Sequence, residues 1–368
     1  MGIGSLRLAG LPPRPVCDAG CVKAVVYADY GSTPVLADVP DPVCPDDGVV
    51  VAVGATGVCR SDWHAWQGRE PVPLPHIPGH ELAGTVAEIG PAVRHWRVGD
   101  RVTVPFVCGC GRCEYCVAGD PQVCPQQTQP GFTGPGSFAE RVVLHAADVN
   151  LVALPDSVDF VTAASLGCRF ATAFRAVSAH GRIGAGEWLA VYGCGGVGLS
   201  AVMIGAALGA RVIAVDVSPA VLERARELGA LEVIDASQDH DPAATVQAIT
   251  DGGAHVSVDA LGSAAIAAAS VASLRRRGRH VQIGLLHGPE ATPSLPMDLV
   301  IARELEIYGS HGMAAHEYPA MLALVADGTL RPDRLIGRVI GLADAGKALV
   351  TLAESALSPG ITVIEVQA

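Results

Sequence analysis

Two patterns of apolar and polar positions divide the chain. Up to Phe160, short Val-rich runs such as Val22 to Tyr27, Gly48 to Val53 and Leu82 to Ile89 are broken by Gly and Pro. Runs of this length between breakers predict strands, and the scarcity of helical periods predicts a small, partly antiparallel β-domain. After Phe160, strand-like and helix-like stretches alternate. Strands are predicted at Trp188 to Tyr192, Arg211 to Asp216, His255 to Asp259, Arg279 to Ile283 and Leu305 to Tyr308. Helices fall over Leu199 to Leu208, from Ser218-Pro219 (an N-cap and N1 pair) to just before Gly229, and over Ala264 to Leu274. The alternation predicts an α/β fold with a doubly wound parallel sheet of six strands, right-handed at each crossover. Beyond Gly309, helices are expected near Tyr318 to Ala326 and Asp344 to Ala353. The strand-like Ile361 to Val366 is expected to return to the first domain.

One turn in the second half carries chemistry. The strand ending at Tyr192 runs directly into Gly193-Cys-Gly-Gly-Val-Gly198, then into an apolar helix, and the next strand ends in Asp216, eighteen residues beyond Gly198. Strand, glycine turn, helix, strand and terminal acid together form a dinucleotide-binding signature. Gly193 permits the tight turn, Gly195 lets a pyrophosphate approach the backbone, and Gly198 lets helix and strand pack closely. The helix N-terminus offers free N–H groups to the phosphates. Asp216 suits an adenosine ribose diol and repels a 2′-phosphate, which favours NAD over NADP.

Composition narrows the picture. A chain of 368 residues exceeds the size at which one core keeps growing, so two domains are expected. A net charge of −12 argues against nucleic acid and suits a cytoplasmic protein with small-molecule substrates. No run of eighteen apolar residues lacks Gly or charge, so no membrane span is expected. Residues 1–20 are Pro- and Gly-rich without a continuous apolar stretch, and read as a flexible extension rather than a signal peptide. Eleven cysteines outside a secretory context point to metal or reduced thiols rather than disulfides.

Two cysteine patterns stand out. Cys110, Cys113, Cys116 and Cys124, separated by 2, 2 and 7 residues, can close on one zinc ion as a structural Cys₄ site. A second group is dispersed. Gly57-Val-Cys-Arg-Ser-Asp-Trp-His64 sets Cys59, Ser61, Asp62 and His64 close together, Gly79-His-Glu81 follows, and Cys168 stands alone in Gly167-Cys-Arg-Phe170. Two thiolates and one imidazole make a Cys₂His zinc site whose fourth position stays open, which means catalysis rather than a structural clip. Cys17, Cys21, Cys44, Cys108 and Cys194 have no spacing that ties them to a site.

These residues resemble the zinc-containing medium-chain dehydrogenase/reductase family, and specifically its alcohol dehydrogenases, over nearly everything from Val22 to Val366. Gly79-His-Glu-x-x-Gly84, then Gly90 and Val93, matches the family's zinc signature, and the Cys₄ spacing and glycine turn match as well. The resemblance implies a GroES-like, mainly-β catalytic domain (1–168, with the structural zinc lobe at 108–124) and a Rossmann domain (169–309), with 310–368 returning to the catalytic domain. It implies reversible hydride transfer between an alcohol and NAD, giving an aldehyde or ketone, with two Zn²⁺ per chain. Cys59, His80 and Cys168 match the catalytic zinc ligands. Asp62 matches the carboxylate that orients His80, and Glu81 an acid behind the metal. Ser61 and His64 match a proton relay through the cofactor ribose to solvent. Arg60 and Thr172 match positions near the pyrophosphate and nicotinamide. Gly196 belongs to the glycine turn, and Val197, Ile283 and Leu285 match the nicotinamide side. Phe106 matches a pocket-wall aromatic. Trp66 can shape that pocket or fill the β-domain. His311, where the last Rossmann strand meets the cleft, is a further candidate for touching substrate, while His76, His95 and His287 have no evident partner.

Two positions depart from the family. The cationic residue expected five positions after the ribose acid is Val221, and the Arg expected near the C-terminus is Ile361 or Thr362. Both changes remove cofactor contacts. The short connection Gln126 to Gly136 is typical of tetrameric relatives, so a tetramer is expected over a dimer. The runner-up activity is a polyol, sugar-alcohol or formaldehyde-type dehydrogenase. Those enzymes commonly replace the third ligand by an acid, and here it is Cys168.

Overall fold

The computed structural model describes residues 20–352 and 360–366, so all but the last residue of the extension expected at 1–20 lies outside the described residues. The first domain is built on a seven-stranded sheet. Its strands run in the order Ile336–Gly341, Ile361–Glu365, Val49–Val58, Glu81–Ile89, Arg101–Thr103 and Val152–Ala153, with Arg141–Leu144 also paired to Val49–Val58. A separate antiparallel pair, Cys21–Val26 and Val35–Pro40, packs nearby. Val49–Val58 is buried at nine of its ten positions, which is why it reads as a continuous apolar run rather than an alternation.

The pairing of this central strand positions the site. Val49–Val58 and Glu81–Ile89 are antiparallel with Gly57 opposite Glu81. One strand therefore ends just before Cys59 where the other begins just after His80, and two residues far apart in sequence come together. The helix Arg60–Trp66 follows at once. It is too short to show a period along the chain, so no helix was expected there.

The second sheet has six parallel strands in the order Glu232–Asp235, Arg211–Asp216, Trp188–Tyr192, Ala254–Asp259, Leu274–Gln282 and Glu306–Gly309. The strand order reverses between Trp188–Tyr192 and Ala254–Asp259, and in such folds ligands bind beyond the carboxyl ends of the strands at that point. Two elements differ from expectation. Glu232–Asp235 is the strand that the sequence counted without locating. Leu274–Gln282 starts well before the predicted Arg279, because the Arg-rich run still pairs, through Leu274 with Ala254 and a register shift. Ser218 occupies the N-cap of Pro219–Glu227, but its side chain makes no capping bond. Its backbone N–H donates to Asp216 instead.

A helical run of short α and π pieces, from Phe160 to His180, joins the two sheets. Phe170, Phe174, Leu189 and Val191 share one buried cluster with Ala55, Ala83, Ile361 and Val363, so the core is continuous across both sheets. Cys168 lies on the π-helical turn Leu166–Phe170, a deviation that concentrates at functional positions. Gly167 passes so near the first sheet that a Cβ there would sit 3.3 Å from Glu81 Cα. No helix among the described residues is long and apolar enough to cross a membrane. Cys21 is disulfide-bonded, which corrects the expectation of reduced thiols at that position.

The glycine turn yields a stability prediction. A Cβ at Gly198 would lie 1.8 Å from the Gly193 carbonyl oxygen. Gly198→Ala must therefore push the helix Gly196–Ala207 off its strand, and is expected to cost about 2 kcal/mol or more. A thermal midpoint equal to that of the wild type would contradict the packing described.

Candidate active site

Cys59, His80, Glu81 and Cys168 place one potential ligand atom each within 4.8 Å of one another. Cys59 is 3% exposed and His80 fully buried. Asp62, from the first turn of Arg60–Trp66, holds the group together. Its carboxylate accepts from His80 Nδ1 at 2.9 Å, Gly79 N at 3.0 Å and Cys59 N at 3.0 Å. The bond to Nδ1 fixes the imidazole with Nε2 free, as partners of metal-bound histidines do. Nε2 is buried and has no hydrogen-bond partner among the described residues. An orphaned imidazole nitrogen beside two sulfurs is a donor set suited to zinc. Burial presses the His80 pKa down, but the Asp62 carboxylate outweighs it and the net direction is upward. The bond from the Cys168 thiol, followed by the Arg169 charge, holds Cys59 well below the usual thiol range despite its burial.

Glu81 is not free to join the ligands. Arg169 donates to it through the backbone N at 3.1 Å, through Nε at 3.0 Å and through Nη2. The Glu81 side chain is fully buried and that of Arg169 is 11% exposed. The sequence reading named Glu81 but not its partner, although Arg169 directly follows Cys168. Thr172, expected near the cofactor, donates its hydroxyl to the Cys168 carbonyl at 2.7 Å.

Cys110, Cys113, Cys116 and Cys124 form the other group, also within 4.8 Å. The helix Glu114–Ala118 starts from Cys113 and ends at Gly119, whose φ of 95° requires glycine. Backbone N–H groups of Cys110 and Gln126 approach the Cys124 sulfur at 3.4 and 3.3 Å, an arrangement that favours thiolate. The Cys110 pKa falls to about 6, chiefly through the Arg112 N–H.

At the glycine turn, Gly193 has φ of 83° and Gly195 caps Gly196–Ala207. A Cβ at Gly195 would meet nothing within 4 Å, leaving open room over the turn for a phosphate. Asp216 accepts from Cys194 N at 2.7 Å and Ser218 N at 3.0 Å, which braces its carboxylate at the strand end.

Residues 45–156 match the alcohol dehydrogenase GroES-like domain, and residues 196–327 the zinc-binding dehydrogenase domain. An alcohol dehydrogenase of Geobacillus stearothermophilus is 36% identical over 313 residues, 84% of this chain and 90% of its own. The chain belongs to the zinc-type medium-chain dehydrogenase/reductase family. Two solved structures resemble it throughout, each with a TM-score of 0.84 and covering 94% of this chain and 99% of their own. One, 31% identical, is an NAD-dependent alcohol dehydrogenase; the other, 28% identical, is a protein of Sinorhizobium meliloti 1021 bound to NADP.

Within this family frame the remaining candidates separate. Phe106 stands edge-on to His80 with ring centroids 6.2 Å apart and edge-on to His311 at 5.2 Å, so all three share one wall. Phe132 lies nearer, 5.0 Å from His80, and was missed because nothing in the loop around it marks a site. Trp66 is a correction. It is 7% exposed in a cluster with Val25, Tyr27 and Leu349, and its Nε1 donates to the Ser32 carbonyl, so it fills the β-domain core. Val197 and Ile283 are partly buried against the main core, whereas Leu285 is 53% exposed. Arg60 lies over the Trp63 ring, 5.2 Å from its centroid. His76 is structural, with Nε2 bonded to the Gly131 carbonyl at 2.8 Å. Cys108 and Cys194 are buried core residues, and burial raises both thiols.

Ser61 and His64 are three apart on one helix and so share a face. His287, without an evident partner in the sequence, lies against His64 with ring centroids 5.2 Å apart and the rings tilted by 30°. Burial, then the charges of His287, Arg69 and Arg60, depress the His64 pKa from 6.5 to about 4, opposed only by Cys59. The unfolded chain thus takes up this proton first. The stability that His64 confers is complete above about pH 6.5 and is lost as pH falls toward 4. His64→Gln is expected to lose less of its melting temperature than the wild type on acidification from pH 7 to pH 4.5. Parallel losses would count against a neutral, buried imidazole.

Proposed function

We propose that this chain is a zinc-dependent alcohol dehydrogenase that passes a hydride reversibly between an alcohol and NAD. The observation that carries the reading is the buried, unpartnered Nε2 of His80 between the thiols of Cys59 and Cys168, oriented by Asp62. Because Arg169 occupies Glu81, the third ligand in this reading is Cys168, and one position stays open for substrate. That choice favours a simple alcohol over the polyol-type alternative, which commonly uses an acid there. Bound in these groups, zinc supplies Lewis acidity at Cys59, His80 and Cys168 and rigidity at the Cys₄ lobe, and the nicotinamide supplies the hydride acceptor.

The chain's own residues perform the rest. Phe106, Phe132 and His311 wall the approach to His80 and hold water away from it. Ser61 receives the proton of the substrate hydroxyl as it releases its own into the relay that would run by the cofactor ribose to His64, one helical turn on. An imidazole with a pKa of about 4 keeps no proton at neutral pH and hands it on to solvent. Asp62 orients the site and passes no proton, because its oxygens are taken by three N–H groups. The position of the enzyme in the cytoplasm and its assembly as a tetramer remain part of this proposal.

Two measurements test it. Cys59→Ala is expected to lose one zinc equivalent per chain and to slow alcohol oxidation by about three orders of magnitude or more. A variant lacking that zinc at wild-type rate would remove the mechanism. With NADP in place of NAD, kcat/KM is expected to fall by about tenfold or more, because Asp216 faces the added phosphate with like charge. Equal use of both cofactors would remove that role of Asp216.

A further inference from the structure

Resting on the dinucleotide reading above, we propose that Arg169 is a cofactor-positioning residue whose guanidinium joins the Glu81 carboxylate to the pyrophosphate of the bound dinucleotide. The side chain departs from the residue after Cys168 and lies nine-tenths buried. Its hydrogen bonds to Glu81 use the backbone N, Nε and Nη2, which leaves Nη1 outside that set. Two glycines make room for the pair. At Gly57 a Cβ would lie 2.3 Å from Glu81 Oε2 and 3.1 Å from Arg169 Nη2. At Gly196 a Cβ would lie 2.6 Å from Arg169 Cδ and 3.5 Å from Nη1. The guanidinium is therefore wedged between the strand end that leads to Cys59 and the first residue of the helix that follows the glycine turn.

That placement has a chemical consequence. Gly196 is the first residue of a twelve-residue helix, where unpaired N–H groups and the helix dipole favour an anion. The adjoining Gly195 leaves open room above the turn. A guanidinium presents a planar fork that suits phosphate oxygens, and Nη1 is the arm next to the turn. Glu81 neutralises Arg169 while the site is empty of anion, which offsets the desolvation cost of burying the cation. Arg60 is retained, but two positions at which the family's other cationic contacts were expected are apolar or uncharged here. Val221 is 8% and Ile361 3% exposed in the core, and Thr362 Oγ1 accepts from Arg338 at 3.5 Å. Arg169 thus supplies a positive charge at the turn from the opposite side, out of the segment that also holds the metal group. Cofactor seating and the carboxylate behind the metal become one connected arrangement.

The test uses ADP-ribose, which keeps the pyrophosphate and lacks the nicotinamide, titrated calorimetrically into the zinc-loaded protein, with adenosine as the control ligand. Zinc content and thermal midpoint are measured on each variant. Arg169→Met is expected to weaken ADP-ribose by about tenfold or more while adenosine binding is unchanged, and Arg169→Lys to recover part of the loss. Folded, zinc-replete Arg169→Met that binds ADP-ribose like the wild type would overturn the assignment. Should Arg169→Met fail to fold, Glu81→Gln decides. Freed of its counter-charge, Arg169 is expected to bind ADP-ribose several-fold more tightly, and unchanged or weaker binding would overturn the proposal. Alcohol turnover plays no part in these readouts, so an enzyme inactive on alcohols leaves them interpretable. Failure of the wild type to bind ADP-ribose at all would overturn the dinucleotide reading and this one together.

Discussion

One buried carboxylate, Asp62, constrains the geometry on which everything else rests. Its two oxygens accept three N–H groups from Cys59, Gly79 and His80. A carboxylate with no solvent contact is tolerated only when its lone pairs are filled, and here the groups that fill them are the backbone and ring of the metal-binding segments. The same bonds that make Asp62 affordable inside the protein fix the tautomer of His80 and tie the start of one strand to the end of another. Removing the carboxylate would release both at once.

A second buried pair, Glu81 with Arg169, works one layer further out. It lies between the metal group and the glycine turn, and two glycines, Gly57 and Gly196, leave room for it. Polar groups in this part of the molecule are placed in linked pairs rather than singly: Asp62 on His80, Glu81 on Arg169, Thr172 on the Cys168 carbonyl. Each fixes a side chain or peptide that would otherwise have rotational freedom. Preorganisation of this kind suits the open metal site proposed for Cys59, His80 and Cys168.

Local patterns in the chain were enough to show the Cys₄ spacing, the glycine turn with its terminal Asp216, and most strands of the parallel sheet. Each depends on residues close in sequence or on a periodicity that survives without context. Helix Arg60–Trp66 escaped because seven residues hold less than two full periods. Strand Leu274–Gln282 was cut short because Arg275, Arg276 and Arg277 lie in a register shift, and only the pairing of Leu274 with Ala254 on its far side extends the strand back beyond them. Trp66 was ambiguous for a related reason: an aromatic residue near a site shows its chemistry, and the direction of its side chain is decided by the core it meets.

Residue type alone therefore showed which groups this protein owns: two sets of thiol and imidazole donors that could hold a metal, a glycine turn, and an acid at the end of the strand after it. Their meeting was decided in three dimensions. The antiparallel register of Gly57 with Glu81 and the π-helical turn at Cys168 bring the dispersed ligands to one point. Packing against glycine backbone selects Arg169 as the partner of Glu81 and seats His287 on His64 only once its loop is folded. Such contacts carry no signature along the chain, because they depend on distances between segments and not on the order of residues within any one of them.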